Sequence, residues 1–276
     1  MKIYNSIDEF NQIKENLSNL VYVPTMGNLH YGHAALIDAA KRFDQEVIAT
    51  IYINKLQFND KNDYLNYPKT LDKDLELLKQ HGCDHLILPD DSILDNIKTI
   101  KAPSKANKLC GLNRPGHFDG VLTIVNKLFD IINPHSVVFG KKDYQQLILI
   151  KDFIKQNKAN INVISAETQR DVNGLALSSR NNLLSKEEKL IASKLYEVLV
   201  SINKNKNILT PRLLDEKIEY LNSVGFKVDY LTACDTNTLE ESFEISNKDI
   251  LIAIAATIGN MTHMKVSHCR NKCQCR

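Results

Sequence analysis

The chain has 276 residues, 43% of them hydrophobic and 25% charged, which suits one large α/β domain or two smaller ones around a buried core. Its 35 basic and 33 acidic side chains leave a net charge of +2, which excludes the basic footprint of a non-specific nucleic-acid binder. No apolar run approaches the roughly 20 residues of a membrane span, and acids such as Asp8 and Glu9 occupy the stretch where a signal peptide would be apolar. Six cysteines in a chain this long do not make a disulfide scaffold, so a cytoplasmic protein is expected, with reduced thiols at Cys83, Cys110 and Cys234 and no nucleic-acid or membrane partner.

Strand-like and helix-like runs alternate through residues 1–168, which predicts a Rossmann-like, doubly wound parallel sheet with ligands at the carboxyl ends of its strands. The first core strand, 21–23, leads into Met26-Gly27-Asn28-Leu29-His30-Tyr31-Gly32-His33, and a helical run begins at Ala34. Two imidazoles and two glycines therefore stand at a strand-to-helix turn. There the first N–H groups of the helix and the positive end of its dipole are expected to face a phosphate. The imidazoles can hydrogen-bond to it as negative charge builds. This H-x-G-H pattern resembles the signature of the nucleotidyl-transferring α/β superfamily, which includes class I aminoacyl-tRNA synthetases and small adenylyltransferases.

The second strand, 47–54, ends in Asn54-Lys55-Leu56-Gln57-Phe58. Amide side chains supply donors and acceptors without charge and suit hydroxyls and carboxylates, although the same residues also make an ordinary polar loop. A helix over 72–80 places Leu75 and Leu78 on one side and stops near Gly82. A strand follows at 85–88, then a helix over 120–132 with Val121, Ile124, Val125, Leu128 and Ile132 at helical spacing. The strand 136–140 ends in Gly140 and passes through Lys141, Lys142 and Asp143 into another helix, on which Gln146 falls one turn after Lys142. A strand at 161–168 closes the alternation.

Residues 169–276 change character and predict a smaller α+β domain. Leu177-Ser178-Ser179-Arg180-Asn181 sets two hydroxyls beside a guanidinium, a compact phosphate clamp, though serine is equally at home as a helix N-cap. Helices are expected over 185–204 and 211–223, and strands over 227–232 and 249–256. The tail holds His268, Cys269, Cys273 and Cys275. Its Cys-x₃-Cys-x-Cys spacing is not a zinc pattern, so a disordered tail, or a changed reading frame near the end, is expected instead.

In this order, Pro24-Thr25-Met26-Gly27-Asn28-Leu29-His30-Tyr31-Gly32-His33, Arg114-Pro115-Gly116-His117-Phe118-Asp119-Gly120-Val121, the segment 139–146 and Leu177-Ser178-Ser179-Arg180-Asn181 resemble the pantothenate synthetase (pantoate–β-alanine ligase) family, from near residue 1 to about residue 260. The resemblance implies a homodimeric enzyme using ATP and Mg²⁺. Pantoate is first adenylated with loss of pyrophosphate; the amine of β-alanine then attacks the acyl adenylate, giving pantothenate and AMP. By resemblance, His30, His33, Lys142 and Arg180 are catalytic, with His33 at the position of the family's catalytic histidine. Ser178 and Ser179 join them around the triphosphate. Gln57, Gln146 and Asn54 hold pantoate. Gly140 and Gln169 cover the adenosine, and Met26, Gly27, Asn28, Leu29, Tyr31, Gly32, Lys141, Asp143 and Leu177 complete the nucleotide site. Mg²⁺ would bridge phosphate oxygens, so no protein metal-ligand set is expected.

Two features depart from the family. Lys55 and Asn59 stand where its members carry Pro and Gly, which predicts a looser loop with activity retained. Gly259-Asn260-Met261-Thr262-His263-Met264-Lys265-Val266 replaces a terminal Gly-x-Thr-Arg-Leu-Ile-Asp-Asn-like strand. Two rival readings remain. Another adenylyltransferase would not need both glutamines or the segment 114–121, and a non-catalytic nucleotide-binding module would not need His30, His33, Lys142 and Arg180.

Overall fold

The computed structural model describes residues 1–43, 45–205, 208–244 and 249–258, and the backbone of 264–270. The chain divides into two compact units, Met1–Gly140 with Gln146–Ala166, and Lys141–Gln145 with Glu167–Arg276.

The first unit carries strands β1 (Lys2–Tyr4), β2 (Val21–Thr25), β3 (Val47–Ile51), β4 (His85–Ile87), β5 (Ser136–Gly140) and β6 (Asn162–Ala166). They form one sheet in the order β1-β4-β3-β2-β5-β6, and every pairing is parallel. The expected α/β sheet is present. Its central strands are buried on both faces: Val21, Tyr22, Val23, Val47, Ile48 and Ala49 are sealed from solvent, which is why the sequence shows apolar runs there and not alternation. The hydroxyl of Tyr22 is matched inside the core by that of Thr50 at 2.8 Å. β1 was not expected. It opens on the exposed Lys2 and so shows no apolar run, and its pairing with β4 places it at the sheet edge.

The first unit's helices are α1 (Ile7–Asn11), α2 (Tyr31–Lys41), α3 (Lys61–Leu65), α4 (Leu71–Gln80) and α5 (His117–Ile132), with α6 (Tyr144–Asn157) entering it at Gln146. α2 buries Ala34, Ile37 and Ala40, three residues apart on the face that covers the sheet. α5 begins one turn before the expected Gly120, because Gly116 takes a left-handed φ of 76° and turns the chain into the helix. The chain reverses direction across the sheet between β2 and β5, which are hydrogen-bonded neighbours. That is the switch point at which such sheets bind ligands.

The second unit holds α7 (Lys186–Ala192), α8 (Lys194–Lys204), α9 (Pro211–Ser223) and an antiparallel sheet β7 (Phe226–Asp235), β8 (Ile250–Ile258), β9 (Met264–Arg270), in that order. The single helix expected over 185–204 is two. The break is at Ser193, whose hydroxyl bonds the Leu190 carbonyl at 2.7 Å and competes with the helical ladder. Leu195, Val198, Leu199 and Ile202 of α8 pack with Leu214, Leu221, Ile252 and Ile254 into this unit's core.

The tail reading needs correction over part of its length. The backbone of residues 264–270 pairs with β8 as an edge strand, because that row of β8 groups otherwise lacks a ladder partner. Cys273 and Cys275, and residues 259–263, lie outside the described residues. No helix among the described residues is long and apolar enough to cross a membrane.

Candidate active site

His30 and His33 cap α2 with their own side chains. His30 is the N-cap, and its Nδ1 accepts the Gly32 N–H at 3.0 Å, while His33 Nδ1 accepts the His30 N–H at 3.3 Å. The arrangement is a capping box built from imidazoles. An accepting nitrogen carries no proton, so both neutral rings hold theirs on Nε2. The ring centroids lie 4.2 Å apart at 45°, which sets two Nε2–H donors side by side on the first turn of a helix.

The expectation that bare helix N–H groups face the ligand does not hold for the donors named here. The Gly32 N–H serves His30, and the His33 and Ala34 N–H groups bond the His30 carbonyl at 2.7 and 3.1 Å. These three donors are satisfied within the turn itself.

Behind the turn stands Asp74 of α4, a residue the sequence-based set omitted. It is 1% exposed. Its carboxylate accepts the Asn28 N–H at 2.9 Å, the Leu29 N–H at 2.8 Å and the Thr70 hydroxyl at 2.9 Å. A Cβ on Gly27 (φ 79°) would come 3.1 Å from Asp74 Oδ2, so glycine is needed there for both conformation and approach. Asp74 thus fixes the backbone just before His30. Asp74 lies four residues before Leu78, on the face of α4 that turns inward.

The strand β3 delivers Asn54, 2% exposed, and a short 3₁₀ turn, Lys55–Gln57. Asn54 Oδ1 accepts the Leu56 N–H at 3.2 Å, while Asn54 Nδ2 donates to Gln57 Oε1 at 3.0 Å and to the Gly120 carbonyl at 3.1 Å. Asn54 therefore holds the Gln57 side chain against α5. The missing proline and glycine are replaced by ties of a different kind. Lys55 pairs with Asp91 at 3.1 Å, and the Tyr52 hydroxyl donates to the same carboxylate at 3.1 Å; burial and then Asp91 raise the Tyr52 hydroxyl well above the ordinary range. Asn59 Nδ2 donates to the Pro115 carbonyl at 2.7 Å. Gln146, also of the first unit, is half-buried near the start of α6.

Of the sequence-predicted residues, the second unit holds Lys141, Lys142, Asp143, Gln169, Leu177, Ser178, Ser179 and Arg180. Lys141–Asp143 form a 3₁₀ turn in which Lys142 pairs with Asp143 at 3.4 Å and Lys141 with Glu167. Two residues after Glu167, the Gln169 carbonyl accepts the Leu177 N–H at 2.9 Å, so a hairpin closed by Gly174 (φ 88°) sets Gln169 opposite the start of the serine–arginine segment. Ser178 is an N-cap, as its chemistry allowed: its Oγ accepts the Arg180 N–H at 3.3 Å. Its own O–H proton remains a donor. Among the described residues no group of three or more His, Cys, Asp or Glu side chains could hold a metal ion.

Comparison with known proteins agrees with the residue pattern. A family model described as pantoate-beta-alanine ligase matches residues 2–264. A pantothenate synthetase of Methylobacillus flagellatus is 39% identical over 92% of this chain and 94% of its own length. The crystal structure of pantothenate synthetase from Thermus thermophilus superposes with a TM-score of 0.88 at 30% identity, over 97% of this chain and 99% of that one. A pantoate-beta-alanine ligase from Francisella tularensis, crystallised with beta-gamma ATP and β-alanine, gives a TM-score of 0.81 at 35% identity over 97% of both chains.

Proposed function

The chain belongs to the pantoate-beta-alanine ligase family, and from that premise we propose that it condenses pantoate with β-alanine by way of a pantoyl adenylate. A carboxylate oxygen of pantoate attacks the α-phosphorus of ATP, the bond to the β-phosphate oxygen breaks and pyrophosphate leaves. The β-alanine amine then attacks the acyl carbonyl, AMP departs with the former carboxylate oxygen, and the amine gives up a proton. The observation that carries this reading is the His30–His33 pair. Two fixed Nε2–H donors suit the negative charge that grows on phosphoryl oxygens during in-line displacement and need no reorganisation when it develops.

Gln57 and Gln146 hold pantoate through uncharged amides, which do not repel the incoming phosphate. Lys142, Arg180 and the hydroxyls of Ser178 and Ser179 bind the polyphosphate. Gly140 and Gln169 cover the adenosine, and Asn28 belongs to the same nucleotide site. Mg²⁺ would enter as the counter-ion of ATP and would neutralise phosphate charge. A homodimer in the cytoplasm follows from the same family resemblance.

The test is oxygen transfer. With ¹⁸O in the pantoate carboxylate, one labelled oxygen is expected in the phosphate of AMP. Label in inorganic phosphate together with ADP formation, or unlabelled AMP, would contradict adenylation.

A further inference from the structure

The segment Arg114-Pro115-Gly116-His117 has no role in the steps above, yet it closes directly on the substrate loop. The left-handed Gly116 and the His117 N–H bonded to the Arg114 carbonyl at 3.1 Å form a tight turn, which sets the Arg114 guanidinium against the His117 ring. Arg114 Nη1 lies 3.2 Å from His117 Nε2. A guanidinium only donates, so Nε2 accepts, and the His117 proton is on Nδ1. That Nδ1–H donates to the Gln57 carbonyl at 2.8 Å, and Arg114 Nη2 donates to the same oxygen at 3.3 Å. His117 is 5% exposed.

The side chain of Gln57 is fixed by an equally closed chain of donors and acceptors. The Leu56 N–H can only donate, and the Gly120 carbonyl can only accept; together they decide which end of the Asn54 amide is oxygen and which nitrogen. Asn54 must then donate to Gln57, so Gln57 Oε1 is the atom it occupies. Gln57 Nε2 is left as the group with N–H donors for a ligand. A donor amide at this position favours an oxygen-rich anion such as a carboxylate. Gly120 completes the clamp, because a Cβ there would stand 2.2 Å from the Leu56 carbonyl oxygen, which shows how closely α5 sits on the loop.

We propose that Arg114 and His117 are positioning residues that lock Gln57 by its main chain, so that its Nε2–H donors meet the carboxylic acid substrate. This rests on the assignment of pantoate to Gln57. The test measures pantoate-dependent exchange of labelled pyrophosphate into ATP, with pantoate and ATP varied separately, for wild type, His117→Ala, His117→Asn, Gln57→Ala and the Gln57→Ala/His117→Ala double variant, alongside thermal melting. His117→Ala is expected to raise half-saturating pantoate about tenfold while leaving that for ATP within about twofold. The effect should vanish when Gln57 is already alanine, since His117 then has nothing to position. His117→Asn, whose Nδ2–H can reach the same carbonyl, should recover most of the loss. Unchanged pantoate dependence in His117→Ala, additive losses in the double variant, or an equal rise for ATP would overturn the positioning role. Should His117→Ala not fold, the Asn variant and Arg114→Lys carry the same comparison with Gln57→Ala. Wild-type protein with no pantoate-dependent exchange would overturn the assignment of pantoate itself, a result distinct from each of these.

Discussion

At the residue scale, the two histidines were legible because their chemistry is local. Both lie within four positions of one turn, and each caps the same helix. Asp74 was not legible. It meets Asn28 across 46 positions of chain, and nothing in a helix pattern tells a solvated acid from one that reaches behind a distant loop. Its role has a measurable consequence. Asp74→Asn sets an NH₂ where a carboxylate oxygen accepted a main-chain N–H, so one buried donor loses its partner at a cost of about 1–3 kcal/mol. The variant is expected to melt at lower temperature and to lose roughly tenfold or more in adenylation rate, as the His30 backbone shifts from its productive position. Wild-type kinetics in a folded Asp74→Asn protein would show that the turn holds itself. Lys55 and Asn59 carry a similar lesson. The sequence shows that proline and glycine are missing, but not that Asp91 and the Pro115 carbonyl receive their replacements. The exposed Lys55–Asp91 pair contributes little stability by itself; its effect is on where the loop sits.

At the scale of elements, strands β2 and β3 could be read because burial on both faces leaves apolar runs, whereas β1 is an edge strand that opens on the exposed Lys2 and shows no such run. The start of α5 was hidden for a related reason. His117 and Asp119 look like loop residues until their partners are known; Asp119 accepts the Ala102 N–H at 2.9 Å and pairs with Lys101. Burial opposes ionisation of Asp119, and the hydrogen bonds from Lys101 and Ala102 override it and hold the carboxyl below the usual range. The contact of α5 with the substrate loop separates two glycines that look alike in sequence. Gly120→Ala drives a Cβ into the Leu56 carbonyl and is expected to cost about 2 kcal/mol or more, with a higher pantoate requirement. Gly116→Ala meets nothing within 4 Å and should show only the left-handed strain, about 1 kcal/mol. Denaturant melts of the two variants decide it; equal stability would mean that α5 does not press on the loop.

For the whole molecule, the sequence pattern changes near residue 168, but it carries no sign that Lys141–Gln145 group with the second unit. That segment lies within the first unit's stretch of sequence and belongs elsewhere only through tertiary contacts, which leave no local signature. The proposed roles follow the same division: His30, His33, Gln57 and Gln146 belong to the first unit, Lys142, Gln169, Ser178, Ser179 and Arg180 to the second. All of them bear on one step, formation of the acyl adenylate, and that step can be isolated by leaving out β-alanine. We would measure exchange of labelled pyrophosphate into ATP with Mg²⁺, with and without pantoate, for wild type and His33→Ala. Exchange is expected only with pantoate, and loss of the His33 donor should slow it by about 100-fold. Exchange without pantoate, no exchange from folded wild-type protein, or undiminished exchange in His33→Ala would contradict a pantoyl adenylate formed under the histidine pair.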